Sequence, residues 1–97
     1  MKIQNYINGQ FVNPLENNWI ENYNPAIGEV YGHIPNSTKE DVEKALEAAE
    51  KAFPKWSNTT LEERSEILSK IADLILEKLD FLAAAESKDN GKPISLA

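Results

Sequence analysis

Asn36-Ser37-Thr38-Lys39-Glu40-Asp41-Val42-Glu43-Lys44-Ala45-Leu46 is where the hydrophobic period of this chain changes. Before it, apolar and β-branched residues alternate with polar ones between closely spaced turn residues, which is the pattern of short strands. After it, Val42, Ala45, Leu46, Ala49, Ala52 and Phe53 recur three and four positions apart and form one helical stripe. Ser37 or Thr38 supplies a cap, with Glu40 or Asp41 three residues on to return the bond, so an amphipathic helix begins here. The expected architecture is α+β, with N-terminal β-hairpins in residues 1–35 followed by about three helices in residues 37–90.

Toward the N-terminus, Ile3-Gln4-Asn5-Tyr6-Ile7 and Gln10-Phe11-Val12 flank Asn8-Gly9. Both central residues of a type I′ turn need positive φ, which Asn and Gly adopt at low steric cost, so a hairpin is expected. A second pair should run through Trp19 to Tyr23 and Val30 to Ile34, joined across Asn24-Pro25-Ala26-Ile27-Gly28. There proline sets one dihedral and glycine permits another. A two-stranded ribbon is marginal by itself, so at least one of these is expected to pack on or pair with protein outside residues 1–97.

Toward the C-terminus, Pro54 is expected to stop the first helix, and Lys55-Trp56-Ser57-Asn58 to bridge to the next. Trp56 is then expected to plug the corner between helices rather than meet a ligand. Thr60 with Glu63 makes a capping box ahead of Arg64, Ile67, Leu68, Ile71, Leu74 and Ile75, giving a helix to about Lys78. Asp80 is expected to cap a third helix carrying Leu82, Ala84 and Ala85 and ending at Asn90-Gly91, where the left-handed conformation closes it. Pro93 suits the first turn of a further helix, of which Ile94 to Ala97 supply barely one turn. An element opened without completion reads as the front end of something larger.

Ninety-seven residues allow one domain at most. The net charge of -6 argues against nonspecific binding to nucleic acid or to an anionic membrane, both of which need excess positive charge. With no cysteine, these residues build no disulfide, no thiolate metal site and no cysteine nucleophile. Met1 to Tyr6 lacks the apolar run of a signal peptide, and no segment approaches the roughly 18 apolar residues of a membrane span, so a cytoplasmic location is expected. Asn36-Ser37-Thr38 and Asn58-Thr59-Thr60 match the glycosylation acceptor pattern, but each sits where a helix needs its cap, and capping is the reading adopted.

Chemistry is sparse. The single histidine, His33, has no identifiable nucleophile and orienting acid to complete a constellation, and one histidine with scattered carboxylates has no zinc-site spacing. Most of the abundant carboxylates fall on the polar faces of helices, where Glu47 and Lys51 form an i, i+4 pair. Asp89 differs, because an acid at a helix C-terminus gains nothing from the macrodipole, which points to hydrogen bonding with the turn or to cation coordination, a plain solvated turn residue being the equal alternative. Gly91-Lys92-Pro93 is no phosphate loop, since neither the earlier glycine nor the following Ser or Thr is present and a helix precedes it.

In order along the chain, Tyr6-Ile7-Asn8-Gly9, Asn24-Pro25-Ala26-Ile27-Gly28-Glu29-Val30, Asp41 to Ala49 leading to Ala52-Phe53-Pro54-Lys55-Trp56, Glu63-Arg64 and Glu86 to Pro93 resemble the N-terminal part of the aldehyde dehydrogenase superfamily. Any one is weak, whereas six in register are strong. Tyr31, Ile34-Pro35-Asn36-Ser37 and Ala85-Glu86-Ser87-Lys88-Asp89 look most like the 2-aminomuconic or hydroxymuconic semialdehyde dehydrogenase branch, with the betaine-aldehyde type next. The resemblance implies an α/β parent several hundred residues long with a Rossmann-type NAD-binding domain, residues 1–97 being its N-terminal part. The parent would be a homodimer or homotetramer oxidising an aldehyde to a carboxylic acid with NAD. Its cysteine nucleophile, activating glutamate and cofactor loop would all lie downstream of Ala97, in the remainder of the polypeptide. What transfers to this chain is a monovalent cation site, for Na+ or K+, at the backbone carbonyls of Asn22 and Tyr23 and at Asp89, completed from downstream.

Two functions are therefore open. One is a non-catalytic N-terminal fragment of an NAD-dependent semialdehyde dehydrogenase. The other is a stand-alone α+β interaction module that binds a partner through strand edges and an unfilled helical face.

Overall fold

A computed structural model describes residues 1–97. Strands β1 (Asn5–Ile7) and β2 (Gln10–Val12) pair antiparallel with Asn5 opposite Val12, Tyr6 opposite Phe11 and Ile7 opposite Gln10. Asn8 at φ 53° and Gly9 at φ 75° make the turn, as the Asn-Gly pair requires. The Tyr6 and Phe11 rings lie 5.1 Å apart across the ladder, an aromatic pair of the kind that stabilises hairpins. Strands β3 (Trp19–Asn24) and β4 (Glu29–Pro35) form the second ribbon. Its turn is held by Gly28 N–H donating to the Asn24 carbonyl at 2.8 Å and by Ala26 N–H donating to the Asn24 side chain at 3.0 Å.

One pairing has no signal in the residue pattern. The N-terminal residues run parallel to β4, with Ile3 N–H on the His33 carbonyl at 2.9 Å and His33 N–H on the Met1 carbonyl at 2.8 Å. Gly32 permits this, because a Cβ there would stand 2.8 Å from the Met1 carbonyl oxygen.

Three helices complete the chain: α1 (Lys39–Ser57), α2 (Leu61–Glu77) and α3 (Leu79–Asn90). Three expectations need correction. Pro54 does not stop α1, which continues three residues past it to Ser57. Proline removes only its own N–H, and in a final turn that costs one bond, while the Ser57 hydroxyl donates to the Pro54 carbonyl at 3.0 Å. Trp56 therefore lies within the helix, 45% exposed, rather than plugging a corner. Asp80 does not cap α3 either. Lys78 holds that position without a side-chain bond, and Asp80 sits in the first turn, where its charge complements the macrodipole. At the other end Gly91, at φ 78°, closes α3 through its N–H on the Ser87 carbonyl, as expected from Asn90-Gly91.

The chain divides into two units, residues 1–23 with 29–57, and residues 24–28 with 58–97. Neither encloses an apolar core: no hydrophobic side chain is buried. No helix is long and apolar enough to cross a membrane.

Candidate functional site

The most enclosed polar group is the carboxylate of Asp41, only 4% exposed. Thr38 precedes α1 and places Asp41 as its third residue, from which one oxygen reaches back to accept from Thr38 N–H at 2.8 Å and from the Thr38 hydroxyl at 3.3 Å. The other oxygen accepts from Leu15 N–H at 2.9 Å, tying the loop before β3 to the start of α1. The Thr38 amide, and after it the Leu15 amide, hold the Asp41 carboxyl below its ordinary value of 3.8, against the opposing effect of burial. Beside it lies an open cavity of about 190 Å³ walled by Asn5, Ile7, Ser37, Val42 and Ala45, with the Asn5 side chain donating to the Ser37 hydroxyl at 2.8 Å. A carboxylate so occupied by donors is a brace: ionised near neutrality it offers no proton, and its lowered pKa and three donors leave it a weak base. Of the two acids expected to return the cap bond three residues after Ser37 or Thr38, Asp41 is the one that does so, to Thr38, and its bond to Leu15 is the part the spacing does not indicate.

The other singled-out residues are dispersed. Asn22 lies on β3 and donates its side-chain amide to the Tyr31 hydroxyl at 2.9 Å. Tyr23, next along β3, donates its phenol to Glu21 at 2.9 Å, and that hydrogen bond with the Glu21 charge pushes its pKa above 10.0. Asp89 lies in the last turn of α3, in the second unit. His33 serves through its backbone, in the pairing with residues 1–3. Lys92 is ion-paired to Glu86 at 3.1 Å, and its N–H is held by the Asn90 side chain, a helix-end arrangement and not a phosphate cradle. No three His, Asp or Glu side chains come together as a metal site.

The model of the aldehyde dehydrogenase family matches residues 11–97. The chain belongs to the aldehyde dehydrogenase family. Within that family it is 48% identical to 2-aminomuconic semialdehyde dehydrogenase of Bos taurus over 97 residues, 100% of this chain and 20% of that one. A variant of the aldehyde dehydrogenase from Bacillus cereus has the same fold with a TM-score of 0.94 at 38% identity, covering 100% of this chain and 20% of its own. The NAD-dependent aldehyde dehydrogenase of Sinorhizobium meliloti also gives 0.94, at 37% identity, with 99% of this chain and 20% of its own covered. The chain thus spans about a fifth of the length of the relatives it matches. The resemblance drawn from the motifs, and the α+β arrangement of hairpins before three helices, both hold.

Proposed function

We propose that this chain is the N-terminal segment of an NAD-dependent aldehyde dehydrogenase subunit that oxidises a semialdehyde to a carboxylic acid, and that the segment itself is a non-catalytic scaffold. The observation that carries the reading is the match over a fifth of the relatives' length, together with helices whose apolar stripes lie uncovered. Gly9, Gly28 and Gly91 occupy positive-φ turn positions and Gly32 lies inside β4, so the four glycines do not form a glycine-rich strand-to-helix loop. NAD binding, the nucleophile and the choice of aldehyde belong to the remainder of the subunit. Residues 1–97 form the front of its NAD-binding domain, in a cytoplasmic homodimer or homotetramer.

The same reading gives Asn22, Tyr23 and Asp89 to a structural Na+ or K+ site completed by the remainder. Two backbone carbonyls and a carboxylate are hard oxygen donors, which suit such a cation. In the whole subunit, Asp89→Asn should remove the dependence of melting temperature on K+, and an unchanged dependence would retire the site.

The direct test joins residues 1–97 to the remainder of the Bacillus cereus relative in one polypeptide. NADH formation is followed at 340 nm with an aldehyde that relative oxidises. The one-piece protein should be active and the 97-residue chain inert. A folded but inactive one-piece protein, or activity from the chain alone, would overturn the proposal.

A further inference from the structure

Asn-Gly occurs twice in this chain, as Asn8-Gly9 in the first unit and as Asn90-Gly91 in the second. Both pairs carry the same intrinsic chemistry, because glycine has no Cβ to shield its amide nitrogen from the carboxamide of the preceding asparagine. Their surroundings are opposite.

At Asn90-Gly91 the reacting groups are engaged. Gly91 N–H, the nitrogen that would attack, donates to the Ser87 carbonyl at 2.9 Å. The Asn90 side-chain oxygen accepts from Lys92 N–H at 2.8 Å, and its amide nitrogen donates to Glu86 at 3.5 Å. Asn8-Gly9 is exposed, Gly9 N–H enters no backbone hydrogen bond, and no side-chain bond holds the Asn8 amide. Nothing stands within 4 Å of the place a Cβ on Gly9 would take. An open cavity of about 290 Å³, lined by Ile7, Asn8, Lys44 and Glu47, gives water access to the same carboxamide.

We propose that Asn8 is a site of spontaneous deamidation and isoaspartate formation, paced by opening of the β1–β2 ladder, and that the end of α3 protects Asn90. The Gly9 nitrogen gives up its proton and bonds to Cγ of Asn8, the Cγ–Nδ2 bond breaks, and ammonia leaves with that proton. Water then opens the resulting succinimide. Cleavage between the Gly9 nitrogen and Cγ leaves aspartate, whereas cleavage between that nitrogen and the Asn8 main-chain carbonyl carbon leaves isoaspartate. The folded turn restrains the first step, since the backbone at Asn8 must rotate out of its type I′ conformation before the nitrogen reaches Cγ. That restraint is slight, because each strand has three residues and the ring pair of Tyr6 and Phe11 is its main cross-strand contact. Isoaspartate carries the main chain through an extra methylene and adds one negative charge to a chain of net charge -6. The pairing of Asn5 with Val12 and of Tyr6 with Phe11 then loses its register. The modification marks the age of the molecule and loosens the strand whose Asn5 donates to Ser37.

The test holds the full chain containing residues 1–97 in neutral buffer, digests it at intervals and follows the mass gain of amide-to-acid conversion in each peptide. An isoaspartate-specific carboxyl methyltransferase labels the isomerised product. In the folded protein the Asn8 peptide should convert about tenfold or more faster than the Asn90 peptide, which must first give up the bonds of a helix end. In denaturant the two rates should converge. Phe11→Ala should accelerate conversion at Asn8 severalfold and leave Asn90 unchanged, and Asn8→Gln should abolish labelling of that peptide. Conversion of Asn8 no faster than Asn90 in the folded protein would overturn the proposal, as would a difference that persists in denaturant. A folded Phe11→Ala protein with an unchanged rate at Asn8 would overturn it as well.

Discussion

The two units of this chain are ordered by different means. In the first, residues far apart in sequence are tied by polar groups: Asn5 to Ser37, Leu15 to Asp41, and residues 1–3 to His33. In the second, the bonds that shape the helices stay within a few residues, as between Thr60 and Glu63, Asn90 and Lys92, or Gly91 and Ser87. Long-range contacts define where elements go, whereas caps define only where they start and stop. The helix ends of the second unit are therefore specified by neighbouring residues in the sequence. That difference separates residues that organise from residues that wait to be organised.

The comparison is most exposed at Asp41. Asp41→Ala should give the largest single loss, confined to the first unit, read as faster amide exchange at Leu15 and Thr38 with Glu63 and Arg64 unaffected. The pH dependence has a definite sign. Because the folded carboxyl titrates below its ordinary 3.8, its contribution is complete above that value and is lost as pH falls through the lower folded one. Exchange at Leu15 should therefore accelerate on acidification, and equal acceleration at Arg64 would break the distinction between the units.

Next in size is Gly91→Ala. Its φ of 78° disfavours any Cβ, and the added atom would stand 3.2 Å from Pro25 Cγ, so the end of α3 should lose about 1–2 kcal/mol. Chemical shifts of Ser87 to Asn90 should move toward random coil while those of α1 stay fixed. The smallest effect is expected from Thr60→Ala, which removes the acceptor for Glu63 N–H and should weaken α2 by about 1 kcal/mol. Helicity at 222 nm should fall, and a Thr60→Ser control should restore it. A change in the first unit with either variant would show that local devices reach farther than their own helix.

Much of the second unit was legible because its instructions are short. Asn90-Gly91 and Thr60 with Glu63 act on backbone groups three or four residues away, so their meaning survives without tertiary context. Asn8-Gly9 is equally short and equally clear. The parallel pairing of residues 1–3 with β4 is invisible, since what permits it is the missing side chain of Gly32, more than thirty positions from Met1. Asp41 is only half legible for a related reason. Its spacing from Thr38 is local, but its burial depends on Leu15, twenty-six residues earlier. Pro54 misled because proline breaks helix interiors far more severely than final turns. Of the proposed cation site only Asp89 carried a signal of its own, as the other two proposed donors are backbone carbonyls without a side-chain signature.

The uncovered apolar stripe of α2 has a consequence in time. In a subunit of the relatives' length, synthesis of the residues beyond Ala97 takes about 20–80 s at ordinary ribosomal rates. Throughout that interval α2 is already capped at both ends and presents leucine and isoleucine to the surroundings. During that interval these exposed leucines and isoleucines are the surface open to capture or mispairing, and the net charge of -6 acts as a solubiliser.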